Sequence, residues 1–147
     1  MKLISKKKQI SKLFSKQFYL SILAIAVFLV ACEPDDGTEN PTAIRDKYLG
    51  TWQVTENTGI NHPQFYSISI VEGDADDELL LQGLYNTSNT RVVALINGTE
   101  LSIPNQTSAE IVFVGSGSAN ADYSQIALSF SADDGSGPDN VEAVLVK

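Results

Sequence analysis

Phe65-Tyr66-Ser67-Ile68-Ser69-Ile70-Val71 alternates, with Tyr66, Ile68 and Ile70 on one side and Ser67 and Ser69 on the other, and Ile126-Ala127-Leu128-Ser129-Phe130 repeats the pattern. A period of two puts every second side chain on the same face, so each stretch reads as a strand with one apolar and one wet face. Outward from these, Val, Ile, Leu, Thr and aromatic residues gather in short runs between clusters of Gly, Asn, Asp, Ser and Pro, the pattern of consecutive strands and turns. Eight runs result: 51–57, 65–71, 78–85, 91–96, 100–103, 111–116, 125–131 and 141–146. Residues 92–96 and 111–114 are apolar throughout, which predicts strands that are covered or central. The connections at 73–77, 86–89, 97–98 and 133–140 are rich in turn formers. Asn97-Gly98 predicts a type I′ hairpin, because both residues tolerate positive φ.

Short antiparallel strands in sequence must hide their edges, by closing into a barrel or by packing as a sandwich. Eight strands and hairpin-length loops predict an all-β fold, a small eight-stranded antiparallel up-and-down barrel over residues 42–147, with a β-sandwich as the alternative. Ahead of it, Thr42 as N-cap, Ile44 and Tyr48 four apart, and Gly50 as a stop predict one short helix. Phe65, Tyr66, Tyr85, Phe113 and Phe130 are large enough to fill the interior of such a barrel.

Gly50-Thr51-Trp52, opening the first strand behind a helical turn, resembles the start of the lipocalin (calycin) barrel as it occurs in small lipoproteins of Bacteroidetes. The resemblance implies that Trp52 closes the barrel floor beneath the helix, so that Gly50 and Trp52 are structural rather than ligand-contacting. Ala121-Asp122-Tyr123 is similar to the family's second motif. The sequence departs from the family in two ways: it is short for a ligand carrier, and Lys147 alone follows the last run, where a helix and a basic residue are expected.

The first 31 residues read as an export signal. Six of the ten basic residues (Lys2, Lys6, Lys7, Lys8, Lys12, Lys16) precede the fourteen-residue apolar run 18–31. That run is shorter than the roughly 20 residues a spanning helix needs and has the length of a signal-peptide core. It ends in Leu29-Val30-Ala31-Cys32, which resembles the lipobox of bacterial lipoproteins. The resemblance implies cleavage between Ala31 and Cys32 and acylation of the Cys32 thiol, a membrane anchor stable with two or more chains. Residues 32–41 are acidic and rich in turn formers, so they read as a disordered tether. Acidic residues behind the cysteine also resemble the surface-export signal of Bacteroidetes lipoproteins, which implies the cell outer membrane, facing outward.

From Cys32 onward four basic residues stand against eighteen acidic, a balance of −14, and a field of that sign repels nucleic acid. One cysteine allows no intramolecular disulfide and no cysteine-based metal cluster. His62, the only histidine, lies in a loop without a nucleophile-elbow sequence anywhere, and an acylated Cys32 has no free thiol for catalysis. Glu72, Asp74, Asp76, Asp77 and Glu78, and again Asp133, Asp134 and Asp139, offer hard oxygens for calcium without EF-hand spacing and read as solvated turns. The expectation is a non-enzymatic protein with no cofactor and no metal, joined to the membrane through lipid at Cys32. A lipocalin-like domain would bind a small apolar ligand or a glycan. The alternative is a structural or interaction accessory subunit of a cell-envelope complex, its barrel core filled.

Overall fold

Proline suits the first turn of a helix, because its φ is already helical and its missing N–H would have no partner there. In this computed structural model, which describes residues 40–147, helix α1 spans Pro41–Tyr48 with Pro41 in that first turn. The cap is Asn40, whose side-chain oxygen accepts from the Thr42 amide at 3.1 Å. Thr42, expected as the cap, is therefore inside the helix, and the tether's expected last residue belongs to it. The expected signal segment and the rest of the expected tether lie outside the described residues.

Eight strands follow: β1 (Gly50–Glu56), β2 (Gln64–Glu72), β3 (Glu78–Gln82), β4 (Arg91–Asn97), β5 (Glu100–Ser108), β6 (Ile111–Ala119), β7 (Gln125–Asp133) and β8 (Pro138–Val146). Each pairs antiparallel with the next, and β1 closes on β8 through Gln53↔Val146 to Glu56↔Ala143. The result is a lipocalin-like up-and-down barrel with no free edge, and the sandwich alternative falls away.

Several boundaries differ from the sequence reading for local reasons. The third run ends early because Gly83 (φ +91°) turns the chain into a single 3₁₀ turn, Leu84–Asn86. The fifth runs on past Pro104, since a bulge between Ile103 and Gln106 accommodates the residue that cannot donate. Above that bulge β5 no longer pairs with β4. The Gln106 amide fills in, accepting from the Val93 N–H and donating to the Val93 carbonyl, both at 2.7 Å, while Ser108 Oγ accepts from the Arg91 N–H at 2.7 Å.

Two turns also differ. In the β4–β5 hairpin Asn97 stays in the ladder opposite Glu100 and Gly98 alone takes positive φ (+60°), the requirement of a type II′ rather than a type I′ turn. The type I′ geometry is found at Ala109-Glu110, φ +51° and +66°, between the paired Ser108 and Ile111. The expectation that 92–96 and 111–114 are covered on both faces is corrected too. Leu95, Val112 and Val114 point outward and are 39 %, 38 % and 44 % exposed.

Alternation sends one residue in two into the barrel: Trp52, Val54 and Glu56 from β1, Tyr66, Ile68 and Ile70 from β2, and so around to Val141, Ala143 and Leu145 from β8. In β6 the inward places after Phe113 are Gly115 and Gly117. A Cβ on Gly115 would lie 2.5 Å from the Ser129 carbonyl and 2.7 Å from Phe130 Cβ, so β7 and its side chains occupy that space.

Candidate functional site

The strands divide the molecule into two ends. Beside α1 lie the turns at 73–77, 98–99 and 120–124, and at the opposite end lie the connections 57–63, 83–90, 109–110 and 134–137.

At the α1 end the floor is built on Trp52. Its indole is fully buried and donates through Nε1 to the Tyr48 carbonyl at 2.8 Å, tying the last turn of the helix to β1. Gly50, at φ +128°, makes the turn from helix to strand. Tyr48 donates to the Gly98 carbonyl at 3.0 Å and meets Tyr123 edge-on at 5.2 Å between ring centroids. Burial, with Tyr123 and Glu100 nearby, pushes the Tyr48 phenol well above its usual range. Tyr123 belongs to the Ala121-Asp122-Tyr123 stretch, so that stretch lies at the floor beside Trp52's helix. Lys147, directly after β8, places its Nζ 5.3 Å over the Trp52 ring and donates to the Lys47 carbonyl at 2.7 Å.

The middle of the barrel is filled. A void wide enough for water leaves accessible area on its walls. Trp52, Leu79, Leu81, Leu84, Val92, Ala94, Phe113, Ile126 and Leu145 have none. Phe113 and Phe130 fill the upper interior as expected, but Phe65 does not. It is in phase with Ser67 and Ser69, faces outward, and is 72 % exposed.

At the end away from α1 two carboxylates enter the barrel. Glu56 is 2 % exposed and accepts from the Tyr66 hydroxyl at 2.6 Å, and that hydroxyl in turn accepts from the Tyr85 amide at 3.1 Å. Asp139 is 6 % exposed. It accepts from the Tyr85 hydroxyl at 2.9 Å and from the Ile60 amide at 3.0 Å to each oxygen. Burial pushes the Glu56 carboxyl above its ordinary 4.5, the Tyr66 hydrogen bond opposes the rise, and the charge of Asp139 adds to it. The Tyr66 phenol is driven up by burial and by Glu56, and that of Tyr85 is pushed up to about 12 by burial and by Asp139. Tyr85 and Asn86 both take left-handed backbone (φ +60° and +50°), a conformation that costs an L-residue roughly 1–2 kcal/mol. Tyr85 is held there by its two hydrogen bonds and by an edge-on contact with Phe130 at 6.3 Å.

No family model matches the chain, and comparison with curated proteins gives no match. Of the residues singled out from the sequence, Gly50 and Trp52 come together at the floor, and Ala31 and Cys32 lie outside the described residues. Asp139 is corrected from solvated turn to buried acceptor. Glu56 was missed, yet both acids carry a signal in strand phase: Glu56 follows Trp52 and Val54 by steps of two, and Asp139 precedes Val141, Ala143 and Leu145 in the same way. The other acidic cluster stays at the surface, where Glu72 and Asp76 lie 3.7 and 3.9 Å from the buried Arg45 guanidinium. Arg45 also donates to the Ala75 carbonyl at 3.0 Å, pinning α1 to the β2–β3 turn.

Three shallow grooves of about 370, 330 and 400 Å³ run over the outer wall. All three include Ser116, and Glu100 and Glu142 each border two of them.

Proposed function

We propose that this chain is a non-enzymatic, lipid-anchored protein of the cell outer membrane, displayed at the surface, whose lipocalin-like barrel works as an interaction module through its exterior. The packed interior carries this reading. A carrier needs a cavity that its ligand can enter, and here buried aromatic and aliphatic side chains fill the barrel, with Trp52 at the floor and Phe113 toward the other end both at 0 % exposure. The two buried acids support the same reading, because tyrosines and backbone amides already engage them. Membrane attachment rests on Leu29-Val30-Ala31-Cys32 behind an apolar run of signal-peptide length, and display at the surface rests on the acidic residues after it.

Two measurements test the proposal. The first is titration of the purified protein with a fluorescent apolar probe, followed through the single tryptophan, Trp52. No saturable change is expected, and one-to-one saturation would restore the carrier reading. The second is growth of the host with labelled palmitate. The wild-type protein should take up label and Cys32→Ser should not, and protease added to intact cells should remove the barrel. An unlabelled wild type would end the anchored reading.

A further inference from the structure

We infer that the connections 57–63 and 83–90 form a lid on the barrel end away from α1, and that a proton held by Glu56 against Gln64 keeps it shut. The device goes beyond the interaction reading and does not depend on membrane attachment.

Hydrogen-bond supply in this layer locates the proton. Gln64 stands opposite Glu56 in the β1–β2 ladder and shares the inward phase of Tyr66 and Ile68, and its Oε1 is buried with no partner. A buried acceptor without a donor is costly, so a neighbour must supply a hydrogen. Tyr66 cannot, because its one hydroxyl hydrogen goes to Glu56 Oε1 at 2.6 Å. A protonated Glu56 carboxyl has a hydrogen to donate, where a carboxylate has none. Burial and the nearby charge of Asp139 favour that protonated form.

No cation in the layer offers an alternative. The titratable groups around Glu56 are Tyr66 from β2, Tyr85 from the 3₁₀ turn and Asp139 from β8, with Asp133 and Asp134 at the end of β7. His62 is exposed on the lid, its Nδ1 2.7 Å from the Gly59 carbonyl. Of the four basic residues after Cys32, Arg45 and Lys47 lie on α1, Lys147 lies over Trp52, and Arg91 faces outward from β4.

The same layer carries the lid. Asp139 gathers both connections, accepting from the Ile60 amide of one and the Tyr85 hydroxyl of the other, while the Tyr66 hydroxyl accepts from the Tyr85 amide. Tyr85 and Asn86 are in left-handed backbone, which persists only where surrounding contacts impose it. When Glu56 loses its proton, two like charges stand buried and Gln64 Oε1 loses its donor. Water must then reach Glu56. The strand ladder closes the wall on every side, so the connections are what moves aside.

Hydrogen exchange and carboxyl carbon-13 NMR of the full chain across pH test this, with exchange rates corrected for their intrinsic pH dependence. As Glu56 titrates, protection at the Ile60 and Tyr85 amides should fall at least roughly tenfold. The amide of Leu128, paired on both sides in the wall, should keep its protection. Glu56→Gln, whose amide supplies the hydrogen permanently, should hold Ile60 and Tyr85 protected over the same range. Gln64→Met keeps the bulk but removes the acceptor, and should move the Glu56 titration to lower pH. Protection that ignores the Glu56 titration, an equal fall at Leu128, or an unchanged pH response in Glu56→Gln overturns the lid. A titration that Gln64→Met leaves in place or raises overturns the shared proton. The wild-type comparison decides even where a variant does not fold.

Discussion

The Tyr66 hydroxyl donates to Glu56 Oε1 at 2.6 Å in the interior layer farthest from α1, where Glu56 is the only acid that β1 sends inward. That bond is what makes a buried carboxylate tolerable, and it fixes the sign of a pH effect. Removing the donor with Tyr66→Phe leaves Glu56 buried without its partner, at an expected cost of about 2 kcal/mol at neutral pH. Glu56→Gln keeps an oxygen to accept the hydroxyl and removes the charge, so it should stay within about 1 kcal/mol of wild type. Because the folded carboxyl holds its proton above the ordinary 4.5, its contribution is fully present below 4.5 and lost as pH rises through the raised value. The advantage of Glu56→Gln over wild type should therefore be small at acid pH and grow toward neutrality. Asp122 and Asp134, held down mainly by the Ser124 and Ser136 hydroxyls, act in the opposite sense, in the range below 3.8. Urea unfolding of both proteins across this range is the check.

Gly115 should be a place where a normally favourable change does harm. Replacing glycine in a strand by alanine ordinarily stabilises it by up to about 1 kcal/mol. Here the added Cβ would lie 2.5 Å from the Ser129 carbonyl and 2.7 Å from Phe130 Cβ. Gly115→Ala is expected to lower stability by about 2 kcal/mol through overpacking. A melting temperature equal to wild type would mean that the interior can yield, and the filled-barrel argument would lose its support.

How far the sequence reaches is visible in these residues. Strand number was legible because it depends on local signals, alternation and turn formers; hairpin-length loops favoured closure over a sandwich, and the floor position of Trp52 was expected only from the resemblance of Gly50-Thr51-Trp52. The roles of Glu56 and Asp139 were obscured because their partners, Tyr66, Tyr85 and the Ile60 amide, come from other parts of the chain. Composition labelled Asp139 a turn residue, whereas its phase with Val141 and Ala143 placed it inside. Size suggested Phe65 as a core residue, and again its phase, with Ser67 and Ser69, gave the true face. Where composition and phase disagreed, phase decided, because the pleat assigns faces regardless of polarity.

The Ala109-Glu110 turn carries two L-residues in left-handed backbone, φ +51° and +66°, with no glycine or asparagine to ease it. Type I′ turns favour Asn-Gly at these positions. The double substitution Ala109→Asn with Glu110→Gly should raise stability by about 1 kcal/mol, most of it from the glycine, which occupies that region without Cβ strain. Denaturant midpoints of the two single variants and the double would separate the contributions. A loss of stability on Glu110→Gly would contradict the turn geometry.

Gln106 does the work of a strand in the wall between β4 and β5. Its side chain accepts from the Val93 N–H and donates to the Val93 carbonyl at the height where β5 has bulged away. With Gln106→Ala, both Val93 groups lose their partner at once, and nothing in the pairing of β4 with β5 beyond Leu95–Asn97 replaces it. The expected cost is about 2 kcal/mol, two ordinary hydrogen bonds. Hydrogen exchange gives the sharper test, because opening should be confined to one side of β4. The Val93 amide should exchange at least tenfold faster in the variant, tenfold being about 1.4 kcal/mol of lost protection. The Val92 amide, whose residue pairs with Leu81 of β3, should keep its protection. Equal acceleration at both positions would mean that the whole strand unfolds and that Gln106 does not act as a local bridge.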